Sequence, residues 1–189
     1  LKKEQLEALT SAQVGALGSR QVAALSTVNI GALSRAQIAA LSTAAIAGLS
    51  SAAVSALSAD QVEALNAAQV GALTSTQIAA MGTDDIARFS TEDLAALTSS
   101  AMAGLSTDAI ALLSPERVGA LSAGGIAGLT TLQIKAMSVD QVEAFTPTQV
   151  TALGSRQLAA LTTAQLRSFS TADIGAISAT GIAGLSTET

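Results

Sequence analysis

The stretch SVDQVEAF-TPTQVTAL-GSRQLAAL, residues 138–161, holds three successive copies of one eight-residue unit. Each copy opens on Ser, Thr or Gly, carries Gln three residues later, then Val or Leu, and closes on Phe or Leu. Stepping by eight from Leu153 in both directions meets a large apolar residue every time. There are 24 such positions from Leu1 to Leu185, all Leu except Met81, Met137, Phe89, Phe145, Phe169 and Ile177, with no insertion or deletion. A second column runs from Leu6 to Ile182, and all 23 members are Val, Ile, Leu or Met. The consensus octad reads L-S-T-x-Q-[IV]-A-A. A period this strict over residues 1–189 marks a single continuous repeat array without linker or domain boundary.

Geometry decides which element an octad encodes. At about 100° per residue, eight residues advance a helix face by about 80° per repeat, so the apolar columns of a continuous helix would spiral and never form a seam. Coiled coils need 3.5 or about 3.67 residues per turn. The chain must therefore break once per octad. The residue after each column position is Ser or Thr in 19 of 24 octads, and Gly or Asn at Gly18, Asn66, Gly82 and Gly154. These are helix N-cap residues. Gln follows at the third position in 12 octads, which completes a capping box. Pro115 and Pro147 both stand directly after the cap, where proline costs a helix least. Asp60, Asp84, Asp85, Glu92, Asp93, Asp108, Glu116 and Asp140 crowd the same first turn, at the positive end of the helix dipole.

The spacing therefore predicts an all-α solenoid of short helices, each about one and a half turns, one per octad. The two apolar residues of an octad, such as Val14 and Leu17, share a face. The column phenylalanines belong to the core, and Ser, Thr and Gln are expected on the outside. One octad cannot bury enough apolar surface to fold alone, so stability is cooperative along the array. The alternative is a β-solenoid, which an even period also permits. Against it, columns five and three apart alternate faces in a strand, and abundant Ala favours helix.

A longer likeness overlies the octads. SADQVEAL at 58–65 matches SVDQVEAF at 138–145, RFSTED at 88–93 matches SFSTAD at 168–173, and AGLST at 103–107 recurs at 183–187. Duplication of a ten-octad block accounts for this; a superhelical turn or a subunit-sized module is the other reading. The array opens mid-pattern and stops inside an octad at Thr189, without a polar capping repeat, so it reads as an excerpt of a longer array.

Composition narrows the function classes. The chain has no His, Cys, Trp or Tyr, only 9 Lys and Arg against 14 Asp and Glu, and three Phe. Thiol and imidazole chemistry, disulfides and zinc fingers are excluded. A basic nucleic-acid surface and base-stacking platforms are missing. The carboxylates Asp84, Asp85, Glu92 and Asp93 match no calcium loop and read as dipole partners on a solvated face. Without His, a nucleophilic serine would need a lysine beside it, as Lys135 with Ser138, and Gly124 with Gly125 lacks a phosphate-loop context. Residues 36–59 carry no charge but continue the octads, so they read as repeat and not as a membrane span. No catalytic, cofactor-binding or metal residue is assigned, no cofactor is expected, and the chain reads as non-enzymatic.

FTPTQVTAL, Phe145 to Leu153, resembles the opening helix of the DNA-binding repeats of TAL effectors. The likeness ends at cap chemistry, because those repeats are several times longer and carry a base-reading dipeptide. The whole chain is similar to the LSTAQIAAL-type octapeptide arrays of very large bacterial surface and exported proteins, often labelled adhesin or haem-utilisation. No His, Cys or Tyr is present to hold haem iron. The resemblance implies a stalk, spacer or self-assembling fibre at the bacterial surface or outside the cell, associating with its own kind end to end or laterally. A protein- or peptide-binding solenoid is the second reading. It would use the most variable strip, which holds Arg20, Thr76, Asp84, Glu92, Glu116, Leu132 and Arg156.

Overall fold

A computed structural model describes residues 2–185; Leu1 and the last four residues, including Ser186 and the end of the second AGLST, lie outside it. The described residues form 23 helices and no strand. In chain order they begin with α1 (Lys3–Glu7), α2 (Ser11–Gly15), α3 (Ser19–Ala23), α4 (Thr27–Gly31), α5 (Arg35–Ala40), α6 (Thr43–Gly48), α7 (Ser51–Ser55) and α8 (Ala59–Val62). Next come α9 (Ala67–Gly71), α10 (Ser75–Ala79), α11 (Thr83–Ala87), α12 (Thr91–Ala96), α13 (Ser99–Met102), α14 (Thr107–Ala111), α15 (Pro115–Gly119) and α16 (Ala123–Ala127). The series ends with α17 (Thr131–Ala136), α18 (Val139–Glu143), α19 (Pro147–Thr151), α20 (Ser155–Leu158), α21 (Thr163–Arg167), α22 (Thr171–Ala176) and α23 (Ala179–Ile182).

The break between helices follows from two residues. The column residue takes an extended conformation, as at Leu41 (φ −59°, ψ 135°), and so does the cap, as at Ser42 (φ −68°, ψ 156°). Two extended residues turn the chain, and the cap hydroxyl starts the next helix by accepting the N–H three residues on, as Ser42 does from Ala45 at 3.1 Å. No described residue has a positive φ, so the corners require no left-handed glycine.

Each helix packs on the third one after it: α3 on α6, α9 on α12, α13 on α16, α19 on α22. Three octads therefore make one turn of a triangular coil. Its walls are three columns of stacked helices, headed by α1, α2 and α3. Ile38, Ile46, Ile78, Leu97, Ile110 and Ile134 are among the side chains sealed inside, and Phe89, Phe145 and Phe169 join them. Stacking is close where glycine precedes the column residue. A Cβ on Gly48 would lie 2.6 Å from the Ser19 carbonyl oxygen one turn below, and the same Gly-over-Ser pairing recurs at Gly104 with Ser75 and Gly128 with Ser99.

The turn length bears on the ten-octad likeness. Ten is not a multiple of three, so SADQVEAL and SVDQVEAF supply helices α8 and α18 on different walls. The recurrence is not a turn of this coil; duplication and a subunit-sized module are the readings that remain. No described helix is long and apolar enough to cross a membrane, residues 36–59 included.

Candidate functional site

The most elaborate polar feature is internal. Nine glutamines at the third helical position are buried: Gln37, Gln61, Gln69, Gln77, Gln133, Gln141, Gln149, Gln157 and Gln165. This corrects the expectation that Gln lies outside. The physical reason is that the side chain has two jobs at once. Gln69 Oε1 accepts the Asn66 N–H at 3.0 Å, as a capping box requires. Its Nε2 donates to the Ile38 carbonyl at 2.9 Å and the Leu41 carbonyl at 2.8 Å, 31 and 28 residues earlier. One amide thus starts its own helix and closes the end of a helix in the turn below, with every polar atom satisfied at 1% exposure.

The same pair of offsets recurs from Gln37, which reaches Leu6 and Leu9, to Gln165, which reaches Ile134 and Met137. Gln13 and Gln21, in the first turn, keep the cap bond and stay exposed. Arg117 takes the glutamine's place in its octad. Its guanidinium donates to Ile86 at 3.0 Å and Phe89 at 2.8 Å, again 31 and 28 residues back, and to Ala87. Burial lowers the Arg117 pKa, but an arginine remains charged, and a cation suits a helix C-terminus.

A size exchange limits where the clamp can occur. The residue 23 before each buried glutamine is Val or Ile without exception, from Val14 under Gln37 to Val142 under Gln165. Where that residue is Leu or Met the glutamine is gone: Leu6 pairs with Asn29, Leu94 with Arg117, Met102 with Gly125 and Leu158 with Gly181. A Cβ on Gly125 would stand 3.4 Å from Met102 Cγ, and one on Gly181 2.8 Å from Leu158 Cδ1. At Gly125 and Gly181 an unbranched or γ-branched side chain thus occupies the space the amide would need, whereas the longer Arg117 still reaches the carbonyls below from over Leu94.

Charge is sorted among the walls. The wall of α4, α7, α10, α13, α16 and α19 carries no ionisable residue from cap to column residue in any of its six octads. Among the described residues, the charged ones lie on the other two walls and in α1 with its cap, apart from Asp173, which is buried in α22. On the α2 wall, Glu63 bridges Arg35, 3.3 Å away one turn below, and Arg88 one turn above. Hydrogen bonds from Arg88 and then Arg35 hold the Glu63 pKa below its ordinary value. Glu92 and Glu116 are lowered too, first by their own backbone N–H and then by the cap hydroxyls of Ser90 and Ser114.

The residues singled out in the sequence fall into place around this frame. Asp84, Asp85, Glu92 and Asp93 do not converge, since they divide between α11 and α12 on different walls. Asp85 and Asp93 turn back to the cap N–H of Gly82 and Ser90. Among the described residues no group of three acidic side chains could hold a metal. The Ser138 hydroxyl accepts the Gln141 N–H as a cap. Arg20, Thr76, Asp84, Glu92, Glu116, Leu132 and Arg156 are all exposed, at the second helical position, so the strip faces outward on all three walls. An open cavity of roughly 530 Å³ lies between the corners 127–131 and 154–157, bordered by Thr130, Thr131, Ser155 and Arg156.

A comparison with characterised proteins finds no match. The pattern of the ALTTAQ repeat matches residues 1–27, 30–67, 56–83, 62–91, 86–123, 124–155 and 150–187, nearly the whole array. A triangular coil with one capped helix per octad is thus the form taken here by a chain that belongs to the ALTTAQ repeat family.

Proposed function

We propose that this array is a non-enzymatic structural segment, a stalk or spacer that sets distance and self-associates, in a bacterial surface or exported protein. One observation carries the reading: the same helix-on-third-helix interface repeats from α1 to α23, so added octads add length without altering cross-section. The likeness to octapeptide arrays of large surface proteins supports the location. Stacked helices lie about 9 Å apart. Small-angle X-ray scattering on the chain, and on a version lengthened by nine octads, tests it. The long axis grows by about 27 Å at constant cross-section if the array is a spacer. A rounder particle of the same maximum dimension overturns the reading. Labelling intact producing cells with an antibody against the array tests the location.

A second reading, a solenoid that binds a protein or peptide, is favoured by the cavity beside Arg156 and by the outward variable strip. A tight one-to-one partner would decide for it.

A further inference from the structure

We infer that Lys135 and Arg156, on the α2 wall, form a binding site for a doubly charged oxyanion of the phosphate or sulfate class. The inference goes beyond the spacer reading and does not depend on it.

The site begins with charge that nothing inside the chain answers. Lys135 lies in α17 and Arg156 in α20, the helix stacked on it. Both side chains are exposed, and neither makes an ion pair or a hydrogen bond among the described residues. The wall's other two cations, Arg35 and Arg88, share Glu63. By contrast α16, α17, α19, α20 and α23, which stack on one another around Lys135 and Arg156, contain no Asp or Glu. In a chain of net charge −5, two cations without a carboxylate reverse the field locally.

Shape supplies the second part. Arg156 stands between two open concavities. The larger, of roughly 530 Å³, is bordered by Thr130, Thr131 and Ser155. It lies at the corner where Gly154 holds the cap position without a side chain, and a Cβ there would meet nothing nearer than Gln157 Oε1 at 3.6 Å. The smaller, of roughly 280 Å³, is bordered by Thr131, Lys135 and Arg156, so both cations face one space. Asp108, in α14 below α17, borders neither. The guanidinium fork of Arg156 can give two parallel N–H groups to an oxyanion, and the Lys135 ammonium adds a point charge. The hydroxyls of Thr131 and Ser155 have no partner among the described residues and can donate to the remaining oxygens. Two cations and no acid match a dianion; a single carboxylate would leave one cation unanswered.

An NMR titration of the whole chain with inorganic phosphate at about pH 8, where the ion is doubly charged, tests this. The amide signals of Thr131, Ser155 and Arg156 shift saturably, with a dissociation constant on the order of 1 mM that weakens as sodium chloride rises. Arg156→Gln and Lys135→Gln each weaken binding at least about fivefold. Both residues are exposed, so neither change disturbs the core. Arg20→Gln removes the same charge from the same Gly-Ser-Arg-Gln string in α3, on another wall, and leaves the affinity unchanged. Acetate, with one charge, binds at least about fivefold more weakly than phosphate. Glucose 6-phosphate separates the sources: tighter binding assigns the larger concavity to the rest of a phosphate ester, and binding no tighter assigns the site to the free ion. The absence of a saturable shift up to about 50 mM phosphate overturns the site. So does an Arg156→Gln or Lys135→Gln variant of wild-type affinity, an Arg20→Gln variant that loses as much as these, or acetate bound as tightly as phosphate. The scattering experiment on length is unaffected by any of these results, so the two readings fail separately.

Discussion

Residues 82–125 and residues 130–166 share the octad, the triangular coil and the two inward columns, yet they close their turns differently. The later stretch has Gln133, Gln141, Gln149, Gln157 and Gln165 at five successive clamp positions, each tying its turn to the one below. The earlier stretch has Asp85, Asp93, Ala101, Ala109, Arg117 and Gly125 there, and only Arg117 reaches the carbonyls below. Both keep the order of helix on third helix, as in α11 on α14 and α18 on α21. The apolar columns and caps are therefore sufficient for the coil, and the amide clamp is a reinforcement laid over it.

The largest expected effect breaks the clamp where it is regular. Gln141→Ala removes the donor to Ile110 and Leu113 and the acceptor for the Ser138 N–H. Leaving such groups buried without partners costs about 2–3 kcal/mol, read as a lowered urea midpoint and faster amide exchange around residues 110–141. Next comes the size exchange. Val118→Leu pushes a branch into the space of Gln141 and costs about 1–3 kcal/mol. Adding Gln141→Gly, which copies the natural Met102–Gly125 pairing, recovers part of that loss in a double-mutant cycle. Strict additivity of the two changes would refute the exchange. A smaller gain comes from moving the clamp into the other stretch. Ala109 lies 23 residues after Ile86, a permissive partner, so Ala109→Gln should stabilise by about 1 kcal/mol, and a loss would show that the space is closed for another reason.

The smallest effect is electrostatic. Because Glu63 titrates below its ordinary value of 4.5, its bridge to Arg88 and Arg35 stabilises fully above that value and fades as pH falls through the folded pKa. The difference in Tm between wild type and Glu63→Gln should be slight at about pH 7 and vanish once the pH has fallen below the folded pKa of Glu63.

Much of the fold was legible because it is local. Ser or Thr at the cap, Gln at the third position and two apolar residues three apart each state a helix start and an inward face without reference to distant residues. The number of octads per turn was not legible, since it depends on how Gly48 meets Ser19 and how neighbouring columns interlock. The buried role of glutamine did leave a signal. A capping box accepts Glu as readily as Gln, and a helix start prefers the acid. Yet Glu never occurs at the third position, while Gln occurs 12 times. The one property Gln has and Glu lacks is a pair of N–H donors, which points to acceptors elsewhere. The charge sorting was hidden for a related reason, because a neutral wall emerges only when every third octad is read together.

The central claim is that three octads make one turn, and pulsed electron spin resonance between paired labels measures it most directly. Thr76, Gly124 and Thr148 are exposed, occupy the same helical position in α10, α16 and α19, and lie on one wall. Labels at Thr76 and Gly124 span two turns, and labels at Thr76 and Thr148 span three. The coil predicts distances near 18 and 27 Å, one helix spacing of about 9 Å per turn. Distances that fail to grow with the number of octads, or that approach the length of an unbroken helix, would contradict it.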